Sequence, residues 1–220
     1  MINNNRRPER IRKFGEVFTP SETVQAMLDM DRDEFIRFDS RVLEPACGDG
    51  NFLAPILEER IKRISQLFKN NQIELEKALF KSVSSLYGVD ILNDNIDKCI
   101  LRLYTICDSY YSNKFKEKSE KEFLNIIKLV LKLNIIQGDA LKFIAQNGKP
   151  LYFYEWVMLN RGNIKIKKYE YHEIADFDES RPTLFSKREV NDLGEGVFSP
   201  YPVQEFDLVY FKKISEEIFK

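Results

Sequence analysis

The segment Val42-Leu43-Glu44-Pro45-Ala46-Cys47-Gly48-Asp49-Gly50-Asn51-Phe52-Leu53 constrains the fold of this chain more than any other stretch. A short apolar run enters a turn with two glycines one residue apart, and a helical pattern starts directly behind it. Glycine adopts backbone dihedrals that other residues avoid, and its missing side chain lets a ligand lie against the main chain. The helix that follows directs its free N–H groups and the positive end of its dipole at the same spot. Strand, glycine turn and helix in that order build a pocket shaped for a nucleotide-like ligand. The alternative is a tight strand-to-helix turn that binds nothing.

Periodicity divides the neighbouring chain into short strands and long amphipathic helices. Helices are predicted over Ser21–Met30, with Val24, Met27 and Leu28 on one face, and over Phe52–Phe68, with Leu53, Ile56, Leu57, Ile61 and Ile64 at helical spacing. Further helices are predicted around Ile73–Val83, Asn93–Ser109 and Phe123–Leu131, with the charged stretch Lys114–Lys121 as an exposed helix start or loop. Strands are expected at Arg41–Leu43, up to Asp90, and at Ile135–Ile136. Such alternation implies an α/β fold whose mainly parallel sheet is covered by helices on both faces.

The character changes after residue 150. Leu151-Tyr152-Phe153-Tyr154-Glu155-Trp156 reads as an aromatic strand, and Ile164–Tyr171 alternates basic and apolar residues, so a C-terminal β-hairpin turning at Asn160-Arg161-Gly162-Asn163 is expected. Its aromatics beside Lys165, Lys167 and Lys168 either meet nucleic acid or pack on the sheet. Ala175–Pro202 is polar and rich in turn formers, and Glu205–Tyr210 reads as a final core strand before a terminal helix. The expected organisation is an N-terminal arm over 1–20, a core over 21–150, and a β-rich appendage with the last core strand and helix over 151–220.

A chain of 220 residues can bury one sizeable core. Its net charge of -1 is unhelpful for gripping a phosphate backbone, although Arg6, Arg7, Arg10, Arg12 and Lys13 crowd the arm. That arm is either a solvated terminus or a nucleic-acid contact. Three cysteines without paired spacing argue for a reducing interior, where Cys99 and Cys107 pack as small hydrophobes. One histidine and no Cys-x-x-Cys argue against a metal site. No apolar run is long enough for a membrane span and the first residues lack a signal peptide's apolar core, so the expected location is the cytoplasm.

The glycine segment resembles the Asp-Pro-Ala-Cys-Gly-Ser-Gly signature of S-adenosylmethionine-dependent adenine-specific DNA methyltransferases of restriction-modification systems, with Glu44 in place of the usual Asp and Asp49 in place of Ser. Upstream, Phe14-Gly15-Glu16-Val17-Phe18-Thr19-Pro20 is similar to that family's first motif. Downstream, Leu86-Tyr87-Gly88-Val89-Asp90-Ile91 and Asn134-Ile135-Ile136-Gln137-Gly138-Asp139-Ala140-Leu141 look like its second and third cofactor motifs. The resemblance implies a Rossmann-like class I methyltransferase fold that binds S-adenosyl-L-methionine. Phe18, Thr19 and Pro20 would lie over the methionine part, and Glu44, Pro45, Ala46, Cys47, Gly48, Gly50 and Phe52 would form the turn. Asp90 would take the ribose hydroxyls, Ile91 would give the adenine an apolar face, Asp139 would accept from its exocyclic amine, and Ala140 would be a further cofactor-binding residue. For each aspartate the alternative is a helix cap or turn residue.

The family also holds its target amine with an Asn/Asp-Pro-Pro-Tyr/Phe turn behind an apolar strand, where hydrogen bonds aim the amine lone pair and an aromatic ring stacks on the flipped base. Here Glu205–Tyr210 runs instead into Phe211-Lys212-Lys213-Ile214, so the catalytic residues are unassigned, and no segment resembles a target-recognition domain. The expected partner is DNA, contacted with the help of a specificity or second subunit, without membrane or metal. Two readings stand: a methyltransferase of a restriction-modification or mobile-element system, or a non-catalytic cofactor-binding accessory module acting through a partner protein. A nicotinamide oxidoreductase would need a third glycine where Leu53 stands.

Overall fold

The computed structural model of the chain describes residue 12 and residues 19–175, 186–190 and 196–220. Phe18, most of the basic arm and much of the polar stretch after Ala175 lie outside the described residues.

The elements follow the periodicity closely. Helices α1 (Ser21–Met30) and α2 (Arg32–Phe35) precede strand β1 (Val42–Glu44), and α3 (Leu53–Leu67) and α4 (Gln72–Ser84) lead to β2 (Leu86–Asp90). Then come α5 (Asn93–Phe115), α6 (Lys121–Asn134), β3 (Ile135–Asp139) and β4 (Ile144–Ala145). The Asn71 side chain accepts from the Glu74 N–H and caps the start of α4. α5 runs six residues past the predicted Ser109 because Tyr111 is buried in the core and Phe115 packs on it.

The first sheet has the order β1-β2-β3-β4. β1, β2 and β3 are parallel, with Glu44 opposite Gly88 and Gly88 opposite Ile135, and β4 runs antiparallel to β3. The fold is therefore α/β with a mixed, mostly parallel sheet. Val42, Leu86 and Ile135 share one face and join Ile56, Leu57, Leu79, Leu103 and Val130 of the helices in the main core. Each fully buried leucine or isoleucine there contributes roughly 1.5–3 kcal/mol of transfer free energy.

The opposite face departs from expectation. Tyr87 and Val89 are covered by Leu151, Phe153 and Tyr171, not by a layer of long helices. The covering unit is the hairpin of β5 (Tyr152–Met158) and β6 (Asn163–Glu170), whose strands pair from Tyr152 opposite Glu170 to Met158 opposite Ile164, followed by the one-turn helix α7 (Tyr171–Ala175). Phe153 meets the Tyr87 ring edge-on at 5.4 Å, and the Tyr87 hydroxyl donates to the Tyr154 carbonyl. Ile164 and Ile166 of the hairpin belong to the main core, so the hairpin is part of the packed body. Its strand lysines are engaged locally. Lys165 pairs with Glu205, Lys167 with Glu155, and Lys168 lies 4.3 Å over the Tyr152 ring.

The final segment is also placed differently. Strands β7 (Ser186–Val190) and β8 (Gly196–Pro200) pair only with each other, whereas β9 (Gln204–Glu205) and β10 (Val209–Tyr210) both pair antiparallel with β6. The predicted core strand over 205–210 thus extends the hairpin sheet, and 3-10 turns at Phe211–Lys213 and Glu216–Phe219 replace the predicted terminal helix. Phe211 is buried against Phe80 and Phe123, and Lys212 pairs with the fully buried Glu76 and with Glu120.

One buried charge organises the end of the sheet away from the glycine turn. Arg60 of α3 is fully buried and donates from Nε to the Phe35 carbonyl, from Nη1 to the Ser82 carbonyl and Ser85 hydroxyl, and from Nη2 to the Ser40 carbonyl. These bonds tie the chain entering β1 to the C-terminal end of α4. Burial pulls the guanidinium down to about 10.

Candidate cofactor site

The glycine turn closes by local rules. The Gly50 N–H donates to the Cys47 carbonyl and the Ala54 N–H to the Gly50 carbonyl, which carries the chain from turn into helix. Gly48 and Gly50 have φ of 54° and 83°, in the left-handed region where glycine is favoured. A side chain at Gly50 would also meet the Cys99 sulfur at 2.9 Å, whereas one at Gly48 would meet nothing within 4 Å. Gly50 therefore serves helix packing, while Gly48 faces open space.

That space is a cavity of about 250 Å³ lined by Thr19, Val24, Met27, Glu44, Ala46, Cys47, Gly48, Asp49, Asn51 and Phe52. Six expected residues meet there: Thr19, Glu44, Ala46, Cys47, Gly48 and Phe52. The Asn51 amide donates to the Thr19 carbonyl at 2.6 Å and fastens the upstream motif to the turn. Met27 was expected to pack beside Val24 and Leu28; those two are buried, but Met27 is half exposed and forms a cavity wall. Phe52 is the residue before α3 and no side chain caps this helix in the described residues; the Ala54 N–H is taken by the Gly50 carbonyl and Pro55 has none, so the main chain of the turn is what the helix start leaves to a ligand.

Asp90 stands behind the turn. One carboxylate oxygen accepts from the Gly48 N–H at 3.0 Å, and the other accepts from the Leu92 N–H at 2.8 Å and from the Asn95 amide at 3.3 Å. The strand-end carboxylate thus joins the glycine turn to the start of α5 across 42 residues of sequence. Glu44 accepts from the Ala46 N–H, and Asp49 lies 3.8 Å from Arg102.

The remaining expected residues do not line the cavity. Pro45 is exposed, and Pro20 offers its carbonyl to the Val24 N–H at the start of α1. Ile91 is half exposed and its carbonyl accepts from Gln137, which holds the ends of β2 and β3 together. Asp139 accepts from the Leu141 and Lys142 N–H groups on a single oxygen, which is the turn-capping alternative. Burial works against its charge, but the Lys142 N–H and ammonium, with the Leu141 N–H, outweigh it and hold Asp139 below the usual aspartate range. Ala140 packs with the Tyr87 and Val89 cluster.

Two residues essential to the geometry were not singled out from the sequence. Gly88 lies under the turn, where a side chain would meet the Cys47 sulfur at 2.9 Å and Ile135 at 3.1 Å. A glycine inside a strand pattern is the available signal for such a close approach. Arg60 had no signal, being one charge in an amphipathic helix. Cys47 itself is buried, and contact with the Cys99 thiol together with burial pushes it far above the usual thiol range, so it stays protonated and unreactive.

Among the described residues, no cluster of three or more His, Cys, Asp or Glu side chains has a metal-holding arrangement, and no helix is long and apolar enough to cross a membrane. Comparison with protein-family models, curated proteins and solved structures finds no match to this chain.

Proposed function

We infer that this chain is an S-adenosyl-L-methionine-binding, adenine-specific DNA methyltransferase-like protein of a restriction-modification or mobile-element system, with a Rossmann-like class I core. The observation that carries the reading is the cavity at the glycine turn. It opens where β1 ends, the turn's Gly48 is held by the carboxylate at the end of the adjacent parallel strand, and the following helix has no side-chain cap. Strand ends joined to helix starts are where open parallel sheets bind ligands.

The residues present suit part of the cofactor. The open space at Gly48 admits a main-chain-hugging group, and Thr19, Met27 and Phe52 give apolar and hydroxyl contacts for an amino-acid chain. Asp90 keeps one lone pair beyond its three bonds, on the oxygen that faces Gly48, and can accept there from a ribose hydroxyl. Ile91, half exposed just beyond it, supplies an apolar face for an aromatic ring. When bound, S-adenosyl-L-methionine would supply an electrophilic methyl group; the chain's own residues bind and orient it.

The second reading, a cofactor-binding accessory module that works through a partner, is favoured by a separate observation. No Asn/Asp-Pro-Pro-Tyr/Phe turn follows Glu205–Tyr210, and that segment pairs with β6, not beside β1. Isothermal titration of the chain with S-adenosyl-L-methionine and with S-adenosylhomocysteine tests both readings at their shared step. Micromolar binding is expected, and absence of heat with absence of thermal stabilisation would overturn both. Methyl transfer from labelled cofactor to adenine-containing DNA then separates catalyst from accessory module.

A further inference from the structure

A second cavity, of about 280 Å³, lies between α4 and the tip of the β5–β6 hairpin. It lies toward the end of the sheet opposite the glycine turn, because α4 runs into the start of β2 whereas the turn follows the end of β1. Lys77 and Lys81, one helical turn apart on α4, and Arg161 at the hairpin tip all line it, with Glu74 as the one carboxylate. Glu74 is already committed to Lys77 at 2.7 Å. Lys81 and Arg161 have no ion pair among the described residues. We propose that this groove is a binding site for phosphate groups.

The tip is built to hold this arrangement. Arg161 sits at φ 63°, ψ 13°, a left-handed conformation that its side chain disfavours. Neighbouring Gly162 explains why it persists. Gly162 is buried at φ 83°, and a side chain there would meet Tyr210 at 2.9 Å, Phe211 at 3.2 Å and the Lys77 stem at 3.3 Å. The tip is thus locked onto Lys77 by packing, and the residue beside the lock is an arginine that lines the lysines' cavity. Three cations facing one committed carboxylate repel one another unless an anion joins them. A phosphate offers several acceptor oxygens to a planar guanidinium and to mobile ammonium groups together.

The rest of the lining narrows the class of ligand. Phe38, with the Arg63 guanidinium 5.7 Å over its ring, and Phe68 line the same groove, so a flat apolar group attached to the phosphate meets an apolar part of the lining. The adjoining cavity, by contrast, has its arginines neutralised, Arg37 by Glu34 and Asp39 and Arg41 by Glu155. Lys81 borders both cavities, but only the hairpin-tip groove sets it beside a second cation without an ion pair among the described residues, Arg161.

The test is fluorescence anisotropy of the full chain with a labelled single-stranded oligodeoxynucleotide, with inorganic tripolyphosphate as competitor. Salt-sensitive binding is expected. Lys81→Ala and Arg161→Ala should each weaken it by about three- to tenfold and reduce the salt slope by about one unit, while Lys98→Ala on α5 leaves it unchanged. An oligonucleotide that outcompetes tripolyphosphate at equal phosphate concentration identifies nucleic acid as the source; equal competition identifies free phosphate compounds. Binding of neither probe, or equal losses in Lys98→Ala and the groove variants, overturns the proposal. S-adenosyl-L-methionine is absent from the assay, so its outcome is independent of the glycine-turn reading.

Discussion

Asp90→Asn separates the bracing role of the strand-end carboxylate from that of an ordinary turn residue. The two oxygens of Asp90 work on different elements, one on Gly48 and the other on Leu92 and Asn95. An amide has only one oxygen, so whichever way it turns, a backbone N–H that now donates to carboxylate faces an NH₂ group. Losing a hydrogen bond to a charged acceptor costs roughly 1.5–3 kcal/mol, and the facing donors add to that loss, so about 2–4 kcal/mol is expected. For a chain of this size each kcal/mol lowers Tm by about 2–4 °C, which places the drop at roughly 4–16 °C. Asp139→Asn is the matched control, because both of its backbone bonds fall on one oxygen, which the amide retains. It should lower Tm by less than Asp90→Asn, losing only the charge that its other oxygen shares with the exposed Lys142 ammonium. Thermal melts followed by circular dichroism, with urea titrations to check that the m-value is constant, measure both variants. Equal Tm values for wild type and Asp90→Asn would refute the bracing argument, as would a larger loss in Asp139→Asn.

Four further outcomes are expected. Arg60→Met leaves three carbonyls and a hydroxyl without their buried donor and should cost about 3–5 kcal/mol in urea unfolding, with Arg60→Lys recovering only a fraction because one ammonium cannot span the four acceptors. Gly88→Ala forces a methyl group onto the Cys47 sulfur and should destabilise by about 1–3 kcal/mol, part of which Cys47→Ala restores in the double variant. Gly48→Val sets a branched side chain at φ 54° and points it into open space, so S-adenosyl-L-methionine titration should lose its heat while the far-ultraviolet spectrum is retained. Burial opposes the charge of Lys212, but Glu120 and Glu76 outweigh it and raise its pKa above the ordinary 10.5. Its stabilisation is therefore complete below that value and lost as pH climbs through the raised one, so the gap in urea midpoint between wild type and Lys212→Met should stay constant from pH 7 to 10 and narrow above.

The elements of the first half were legible because their determinants are local. The 3.6-residue spacing in Leu53–Ile64 and Ile96–Leu103, and the glycine pair behind Val42–Leu43, act within one turn of helix or one tight bend. Six residues of the expected site line one cavity because five of them belong to the strand-and-turn stretch from Glu44 to Phe52. The Tyr152–Met158 and Asn163–Glu170 hairpin was legible for the same reason, its two strands being joined by a short turn.

The tertiary structure decided the rest. Alternating apolar residues at 205–210 predict a strand buried on one face, but nothing in the alternation names its neighbour, and Val209–Tyr210 joined β6 because Phe211 buries between Phe80 and Phe123. An amphipathic pattern likewise leaves open whether helices or strands cover Tyr87 and Val89. Asp139 reads like Asp90 in sequence, each an acid at the end of a β-branched or apolar run, yet one caps its own turn and the other reaches Gly48, a difference made by the parallel pairing of β1 with β2. Arg60 is one charge among several on its helix until Phe35, Ser40 and Ser82, each more than 18 residues away, supply the carbonyls that make its burial tolerable. Local geometry can be read from neighbours along the chain, whereas the partner of a buried charge, a sheet edge or a carboxylate is chosen by which distant groups the packing brings within hydrogen-bonding distance.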